Sequence, residues 1–118
     1  MSRKLQNYLR TYRKRAGFSQ DEVAFLLGCQ SGTKVSRYER FNRKPSLETA
    51  FAYEAVFGAP GRELFAGIFQ KVEDKIKRRA QLLGRKLSEA KRDRITIQKL
   101  KILESIVSEA RFEPFKIS

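Results

Sequence analysis

The side chains with the most distinctive chemistry lie between residues 33 and 44, where hydroxyl groups are mixed with cations. An arginine fork matches the hydrogen-bonding edge of guanine, and a serine or threonine hydroxyl can contact several bases. Lysine and arginine also neutralise phosphates. A helix carrying these groups could therefore read DNA, and the candidates are Thr33, Lys34, Ser36, Arg37, Arg40, Arg43 and Lys44.

The net charge favours the same kind of partner. The 118 residues include 26 Lys and Arg against 13 Asp and Glu, which gives a formal charge of +13. Such an excess repels itself in a short chain, so nucleic acid is the favoured partner. Nine cations cluster near the junction of two predicted long helices, where a solvated face and a second phosphate-contacting surface remain alternative interpretations: Lys75, Lys77, Arg78, Arg79, Arg85, Lys86, Lys91, Arg92 and Arg94.

Composition also excludes several classes of protein. With one cysteine and no histidine, the chain cannot form an intramolecular disulfide, a Cys/His metal site or a histidine general base. No Gly-rich phosphate loop is present, so we predict no enzyme activity, no metal and no cofactor. The N-terminal segment is polar, and no run approaches 18 apolar residues. We therefore expect a soluble, cytoplasmic protein without a membrane partner.

The clearest helix start lies just before the candidate segment. Ser19 and Glu22 have the S-x-x-E spacing of a capping box, and Gly28 supplies a left-handed residue to end the helix. The apolar residues expected on the buried side of this second helix are Val23, Ala24, Leu26 and Leu27.

A third helix is predicted from Gly32 to about Arg40, with Ser31 as its cap. Val35 and Tyr38 would face inward, which leaves the hydroxyl and cationic side chains outside. Two short capped helices joined by a glycine-containing turn are the arrangement of a helix-turn-helix module. A capped helix start can also hold a phosphate through its free backbone N–H groups.

Helical spacing continues on both sides of this pair, and no strand pattern of useful length occurs. A first helix is predicted over residues 3–16, with Ser2 as cap and Gly17 as its end. Ser46 and Gly58 bound a fourth helix. Its expected apolar side is Leu47, Ala50, Phe51 and Phe57, with Glu54 out of pattern. The fold class is therefore all-α.

The remaining sequence predicts two longer helices. A fifth helix starts at Pro60 and Gly61 and continues without interruption as one long amphipathic helix through Leu87. A last amphipathic helix runs from Ile95 to Ala110, and residues 111–118 are expected to be a loose tail.

A scattered set of residues gives the chain a specific resemblance. The set is Arg13, Gly17-Phe18-Ser19-Gln20, Val23-Ala24, Gly28, Val35-Ser36, Glu39, Pro45-Ser46-Leu47-Glu48-Thr49, Phe57-Gly58 and Glu63-Leu64-Phe65. Over about residues 5–66 the chain resembles the Cro/phage-repressor family of helix-turn-helix regulators, also called the xenobiotic-response-element family. The resemblance implies a five-helix lambda-repressor-like domain, here with an extended fifth helix and a C-terminal helix. It also implies a transcriptional regulator from a bacterial or phage-type cytoplasm.

The resemblance assigns reading roles to individual residues. Gln20 matches a position at the start of the second helix that contacts a phosphate. Thr33, Lys34 and Arg37 match positions that face base edges, and Ser36 matches one that contacts phosphate or base. Helix three is thereby expected to read the major groove.

Other matched positions are expected to bind the DNA backbone or to support the fold. Arg40, Arg43 and Lys44 match a basic loop that holds the DNA backbone. Arg13 and Glu39 match an ion pair between helices one and three, which supports the fold and does not read DNA.

Two positions depart from the family pattern. The interval from Gly28 to Glu39 is one residue longer than usual, and the extra residue falls within residues 29–32. Phe41 stands where the family favours glycine. Cys29 stands at a small apolar position and is expected to be buried and unreactive.

We accordingly expect a DNA-binding domain over residues 1–66 and a helical extension over residues 67–118. The apolar stripes of the extension favour a homodimer on double-stranded DNA, as the family commonly forms on near-palindromic sites. The alternative is an antitoxin-like or adaptor protein whose C-terminal helices, around residues 88–118, bind another protein.

Overall fold

The computed structural model describes residues 4–108, which are helical apart from the connections, with no strand among them. The helices are α1 (Leu9–Ala16), α2 (Gln20–Leu27), α3 (Gly32–Glu39), α4 (Leu47–Phe57), α5 (Gly61–Leu64), α6 (Ala66–Ser88) and α7 (Arg94–Ser108). The predicted all-α class is confirmed. The chain divides into two compact units, Met1–Gln70 and Lys71–Ser118. The predictions for Ser2, Ala110 and the 111–118 tail lie outside the described residues.

Serine caps begin α2, α3 and α4, as predicted. Ser19 Oγ accepts a hydrogen bond from the Glu22 N–H at 3.1 Å, and the Glu22 carboxylate accepts one from the Ser19 N–H at 2.8 Å. This reciprocal capping box satisfies two N–H groups that the helix itself cannot pair. Ser46 caps α4 through the Thr49 N–H. Gly17, Gly28 and Gly58 end α1, α2 and α4 in the left-handed conformation.

One apolar core holds the first unit together. It is formed by Leu9, Val23, Ala24, Val35, Tyr38, Tyr53, Ala59, Leu64 and Phe65. The Tyr53 ring lies at its centre, stacked on Phe57 at 6.0 Å and edge-on to Tyr38 and Phe65. Such offset and T-shaped arrangements suit the quadrupole of aromatic rings.

The first helix is shorter than predicted, since α1 begins at Leu9 and not at residue 3. The preceding backbone forms hydrogen bonds elsewhere: the Tyr8 N–H donates to the Leu64 carbonyl at 2.7 Å, and the Leu5 carbonyl accepts from the Gly67 N–H at 2.8 Å. A Cβ on Gly67 would overlap the Leu5 carbonyl, so this approach requires glycine. Long-range backbone pairing therefore replaces the first helical turns.

Two predicted apolar faces are partly wrong. In α2, Leu26 is 50% exposed, while Val23 and Ala24 are buried. In α4, Leu47 and Phe51 are 71% and 58% exposed, because the helix is turned to bury Tyr53. A helix composed of apolar residues on most sides carries little information about which side faces the core.

Glu54, the residue out of pattern in α4, has a specific partner. Its carboxylate accepts a hydrogen bond from the Gly61 N–H at 2.7 Å, at the first residue of α5. A negative charge at a helix N-terminus is favourable. Glu54 therefore fixes the position at which the chain turns from α4 into α5.

The predicted continuous fifth helix is interrupted. Phe65 has φ −117° and ψ 44°, which separates α5 from the long helix α6. Phe65 is buried in the core. The apolar periodicity continues through this point, so it could not reveal the break.

The second unit consists of most of α6, a short connection and α7. Among its described residues only Ala80 and Thr96 are buried. Ala80 and Gly84 from α6 and Leu100, Leu103 and Val107 from α7 line a common groove. Asp93 starts α7 by accepting the Thr96 N–H at 2.8 Å, and this hydrogen bond lowers the pKa of the Asp93 carboxyl.

Candidate nucleic-acid interface

The starts of α2 and α3 pack directly against each other. The Gly32 N–H donates to Asp21 Oδ1 at 2.8 Å. A Cβ at position 32 would lie 2.7 Å from that oxygen and 3.0 Å from the Gln20 Cβ. A side chain would therefore push the two helix starts apart. Gly32 is buried and serves this close approach.

A serine caps α3 beside this contact. Ser31 Oγ accepts the Thr33 N–H at 3.4 Å and donates its own hydrogen to Thr33 Oγ1 at 3.2 Å. The connection from α2 to α3 therefore consists of residues 28–31. α3 begins at Gly32 as predicted.

Glu39 connects three helices from the inner side of α3. Its carboxylate accepts from Arg13 Nε at 2.6 Å, from a second Arg13 nitrogen at 3.1 Å, and from the Gln20 amide at 3.1 Å. The Arg13 guanidinium also donates to the Phe18 carbonyl at 3.0 Å. The hydrogen bond that Arg13 donates to the Glu39 carboxylate raises the pKa of Arg13. This network fixes α1, α2 and α3 in one relative arrangement.

The residues predicted to read bases lie on the outer side of α3. Thr33, Lys34 and Arg37 are exposed, and Ser36 is half-buried. At about 100° per residue, Thr33 and Arg37 point within about 40° of each other. Lys34 lies about 60° beyond Arg37, at the edge of this face. Val35 and Tyr38 occupy the opposite, buried side.

An open concavity of about 850 Å³ lies beside this face. Its lining includes the first residues of α2 and α3 and cations from α1 and the end of α3: Arg10, Arg13, Lys14, Ser19, Gln20, Asp21, Ser31, Gly32, Thr33, Ser36 and Arg40. Helix starts and cations both attract anions. The structure thus brings Gln20, Thr33, Ser36 and Arg40 together, and it adds Arg10 and Lys14 to them.

The predicted basic loop follows α3 and leaves the concavity. Arg43 and Lys44 are exposed and do not line it. The loop begins at Phe41, whose N–H donates to the Tyr38 carbonyl while the Asn42 N–H donates to the Arg37 carbonyl. This pair of bonds is the Schellman motif, which places its turning residue in the left-handed conformation. Phe41 accordingly has φ 65°, the conformation for which the family's glycine is suited.

Sequence reasoning missed Asn7, a buried residue that positions the far end of α3. Its side-chain amide donates to the Tyr38 carbonyl at 2.9 Å, and its oxygen accepts the Leu9 N–H at 3.1 Å. A polar residue just before a helix would ordinarily indicate a local cap. Its partner 31 positions away leaves no local sequence signal.

Comparison with known families agrees with this geometry. The family model described as a helix-turn-helix domain matches residues 5–65, just over half of the chain. The chain belongs to this helix-turn-helix domain family. Comparisons with curated proteins and with solved structures gave no match.

Within residues 4–108, no cluster of His, Cys, Asp and Glu side chains could hold a metal ion. No helix in the same range is long and apolar enough to cross a membrane. Cys29 is half-buried and is the one cysteine in the sequence.

Proposed function

We propose that this protein is a sequence-specific DNA-binding transcriptional regulator of the Cro/phage-repressor type, without enzyme activity. The observation that carries the proposal is the outer face of α3, which presents Thr33 and Arg37 beside two capped helix starts. An exposed helix face of this kind fits the major groove. Val35 and Tyr38 anchor the opposite side of the helix in the core.

In this proposal, base recognition and phosphate binding are assigned to different side chains. Thr33 and Arg37 read base edges, and Lys34 reads a base or takes a phosphate at the edge of the face. Ser36 contacts phosphate or base. Phosphates are held at the start of α2, where Gln20 lies, and by the cations Arg40, Arg43 and Lys44. Phosphate contacts supply affinity and base contacts supply specificity.

Gln20 has two roles in this proposal. In the free protein its amide donates to Glu39 at 3.1 Å, and its backbone begins α2. The backbone N–H groups of that first turn are the phosphate-binding element. The bond to Glu39 holds the Gln20 side chain beside the helix start.

Selection of bound sequences from a random duplex pool tests the proposal directly. A reading helix enriches a defined motif, whereas a non-specific packaging protein enriches none. On the selected site, Arg37→Ala should cost about 1–3 kcal/mol of binding free energy and relax base preference at one position. Equal losses on selected and random duplexes would rule out a reading role for Arg37.

Arg43→Ala is the corresponding substitution at a proposed phosphate-contacting position. Because a phosphate contact carries no sequence information, this variant should weaken binding to all duplexes alike. The slope of log affinity against log salt should also fall by about one unit. An unchanged slope would remove Arg43 from the phosphate contacts.

We further propose that the second unit joins two copies of the chain. Ile95 and Ile102 of α7 are 62% and 47% exposed, seven residues apart and therefore on one side of the helix. The second unit buries only Ala80 and Thr96 among its described residues, which leaves apolar area for a partner. A second copy would supply the two-fold symmetry that matches a palindromic site.

Oligomeric state and the selected motif test this part. Ile95→Asp with Ile102→Asp should convert a dimer to a monomer in sedimentation equilibrium, while Phe25→Asp, at an 81% exposed position in the first unit, should not. A stoichiometric partner of different sequence, lost in the same α7 variant, would instead favour the antitoxin-like or adaptor function through residues 88–118. A monomer without such a partner would contradict both.

A further inference from the structure

The exposed side of α6 carries a continuous row of cations within the second unit. We call it the basic stripe: Lys71, Lys75, Arg78, Arg79, Arg85 and Lys86, all of them exposed. At 3.6 residues per turn these six side chains fall within an arc of about 120°. The stripe is about 22 Å long at 1.5 Å per residue. Ala80, the one described α6 residue of this unit that is buried, lies on the opposite side of the helix.

The charges of the basic stripe are exposed to solvent. None of the six forms an ion pair with a carboxylate in the part of the chain that the structure describes. Arg79, Arg85 and Lys86 also border an open groove whose lining contains one acidic residue, Glu89. Six unpaired like charges on one helix face repel one another, and an extended polyanion removes that repulsion.

We infer that the basic stripe is a second, sequence-independent contact surface for the phosphate backbone of duplex DNA. This inference rests on the proposed function, because it assigns the stripe to the same ligand as α3. Duplex DNA carries one negative charge per about 1.7 Å of its axis, so a 22 Å stripe meets phosphates along its whole length. A stripe of exposed cations without carboxylate partners among the described residues suits backbone binding and not base reading.

The distribution of apolar side chains argues against a lipid surface as the ligand. A helix that lies in a bilayer interface presents its apolar side to the acyl chains. The basic stripe encloses one large apolar residue, Leu82, at 62% exposure. The other exposed apolar residues of α6 in this unit, Val72, Ile76 and Leu83, lie outside the cationic arc.

The test measures binding of the full chain to a random-sequence duplex by fluorescence anisotropy at several salt concentrations. The stripe variant is Lys75→Gln/Arg78→Gln/Arg79→Gln. The control is Lys91→Gln/Lys99→Gln/Lys101→Gln, which removes three charges from exposed positions outside the stripe. Circular dichroism verifies that both variants keep the helical content of the wild type.

The stripe variant should bind the random duplex at least about tenfold more weakly at 0.1 M salt. Its slope of log affinity against log salt should fall by about three units, since each lost phosphate contact removes about 0.9. The control should change affinity by less than about threefold and keep the slope. Equal effects of the two variants would overturn the inference, because only the total charge would then matter.

Further measurements distinguish failure of the inference from failure of the proposed function. Arg37→Ala should relax base preference at one position of the selected motif while retaining the stripe-dependent slope. A wild type that binds duplexes but shows no slope change in the stripe variant overturns the inference alone. A wild type that binds no duplex overturns the proposed function as well. The last measurement is binding to vesicles with about 30% phosphatidylglycerol. If the stripe variant lost binding to the vesicles but not to the duplex, the stripe would be assigned to a membrane and the inference would be overturned.

Discussion

Leu64 in the first unit is completely buried, whereas Leu82 in the second unit is 62% exposed, although both lie on helices. The first unit also exposes apolar side chains such as Phe25 and Leu47, so the units differ in what they bury. The first closes an apolar core around Tyr53, and the second buries only Ala80 and Thr96 among its described residues. A unit that closes its own core can hold a fixed geometry, which base reading requires. A unit that leaves apolar area exposed is suited to contacts with other molecules.

Charged groups differ between the units in the same way. In the first unit, Arg13 and Glu39 form an ion pair with side chains 11% and 3% exposed, so these charges serve the arrangement of the helices. In the second, the cations of the basic stripe are exposed and form no ion pair within the described residues. The Arg13 and Glu39 charges therefore fix structure, whereas the charges of the basic stripe remain exposed.

The largest expected effect comes from truncating the two leucines. Leu64→Ala should lower the free energy of unfolding by about 2–5 kcal/mol, through lost burial and the cavity that remains. Leu82→Ala should cost less than about 0.5 kcal/mol, as is usual for exposed positions. Urea denaturation followed by circular dichroism measures both. If the two substitutions cost the same, the contrast between the units would be wrong, because Leu82 would then be buried by a partner.

The ion pair of the first unit gives the next largest effect. Glu39→Ala should cost about 3 kcal/mol, because it leaves Arg13 partly buried without its carboxylate. Replacing both members, as Arg13→Met/Glu39→Leu, should restore most of that loss, since no charge is then left without a partner. Urea denaturation of the three proteins supplies the comparison. A double variant as unstable as the single one would mean that the packing of α1 and α3 requires the pair itself.

Much of the first unit could be predicted because its signals are local. The capping box at Ser19 and the left-handed glycines at 17, 28 and 58 each act within a few residues of the chain. The inward side of α3, with Val35 and Tyr38, follows from helical periodicity. These signals placed the predicted reading residues on the outer side of α3.

The errors arose where tertiary contacts override local pattern. The first helix begins late because the Tyr8 N–H pairs with the Leu64 carbonyl, which lies 56 positions away. The break at Phe65 and the outward position of Phe51 depend on which side chains fill the core around Tyr53. Asn7 was missed for the same reason. Residues that pair over long distances leave no periodic signal.

Phe41 gives a stabilising prediction within the first unit. Gly17 and Gly28 end α1 and α2 with the same pair of Schellman hydrogen bonds that Phe41 makes after α3. A left-handed conformation costs a residue with a side chain about 1–2 kcal/mol, and glycine avoids that cost. Phe41→Gly should therefore raise the free energy of unfolding by about 1 kcal/mol, as measured by thermal or urea unfolding.

Phe41→Ala is the control for this change. It removes the same ring, which is 40% exposed, and keeps a Cβ at φ 65°. The alanine variant should therefore be no more stable than the wild type. If alanine stabilised as much as glycine, the gain would come from losing the ring and not from the backbone conformation.

The smallest expected effect concerns the Tyr53 hydroxyl, which lies in the core of the first unit. The Tyr53 hydroxyl is buried without a hydrogen-bond partner among the described residues, and burial raises its pKa. Tyr53→Phe removes this unpaired group and keeps the ring, so the variant should match the wild type or exceed it by up to about 1 kcal/mol.

The pH dependence of Tyr53→Phe sharpens the test. The folded protein holds Tyr53 neutral, whereas the unfolded chain ionises it above about pH 10. The wild type therefore loses stability as the pH rises beyond that value, and the phenylalanine variant lacks this loss. The stability difference between the two proteins should grow in favour of Tyr53→Phe above about pH 10. A variant destabilised at every pH would show that the hydroxyl has a hydrogen-bond partner, such as a buried water. Every buried side-chain polar group of the first-unit core would then be paired.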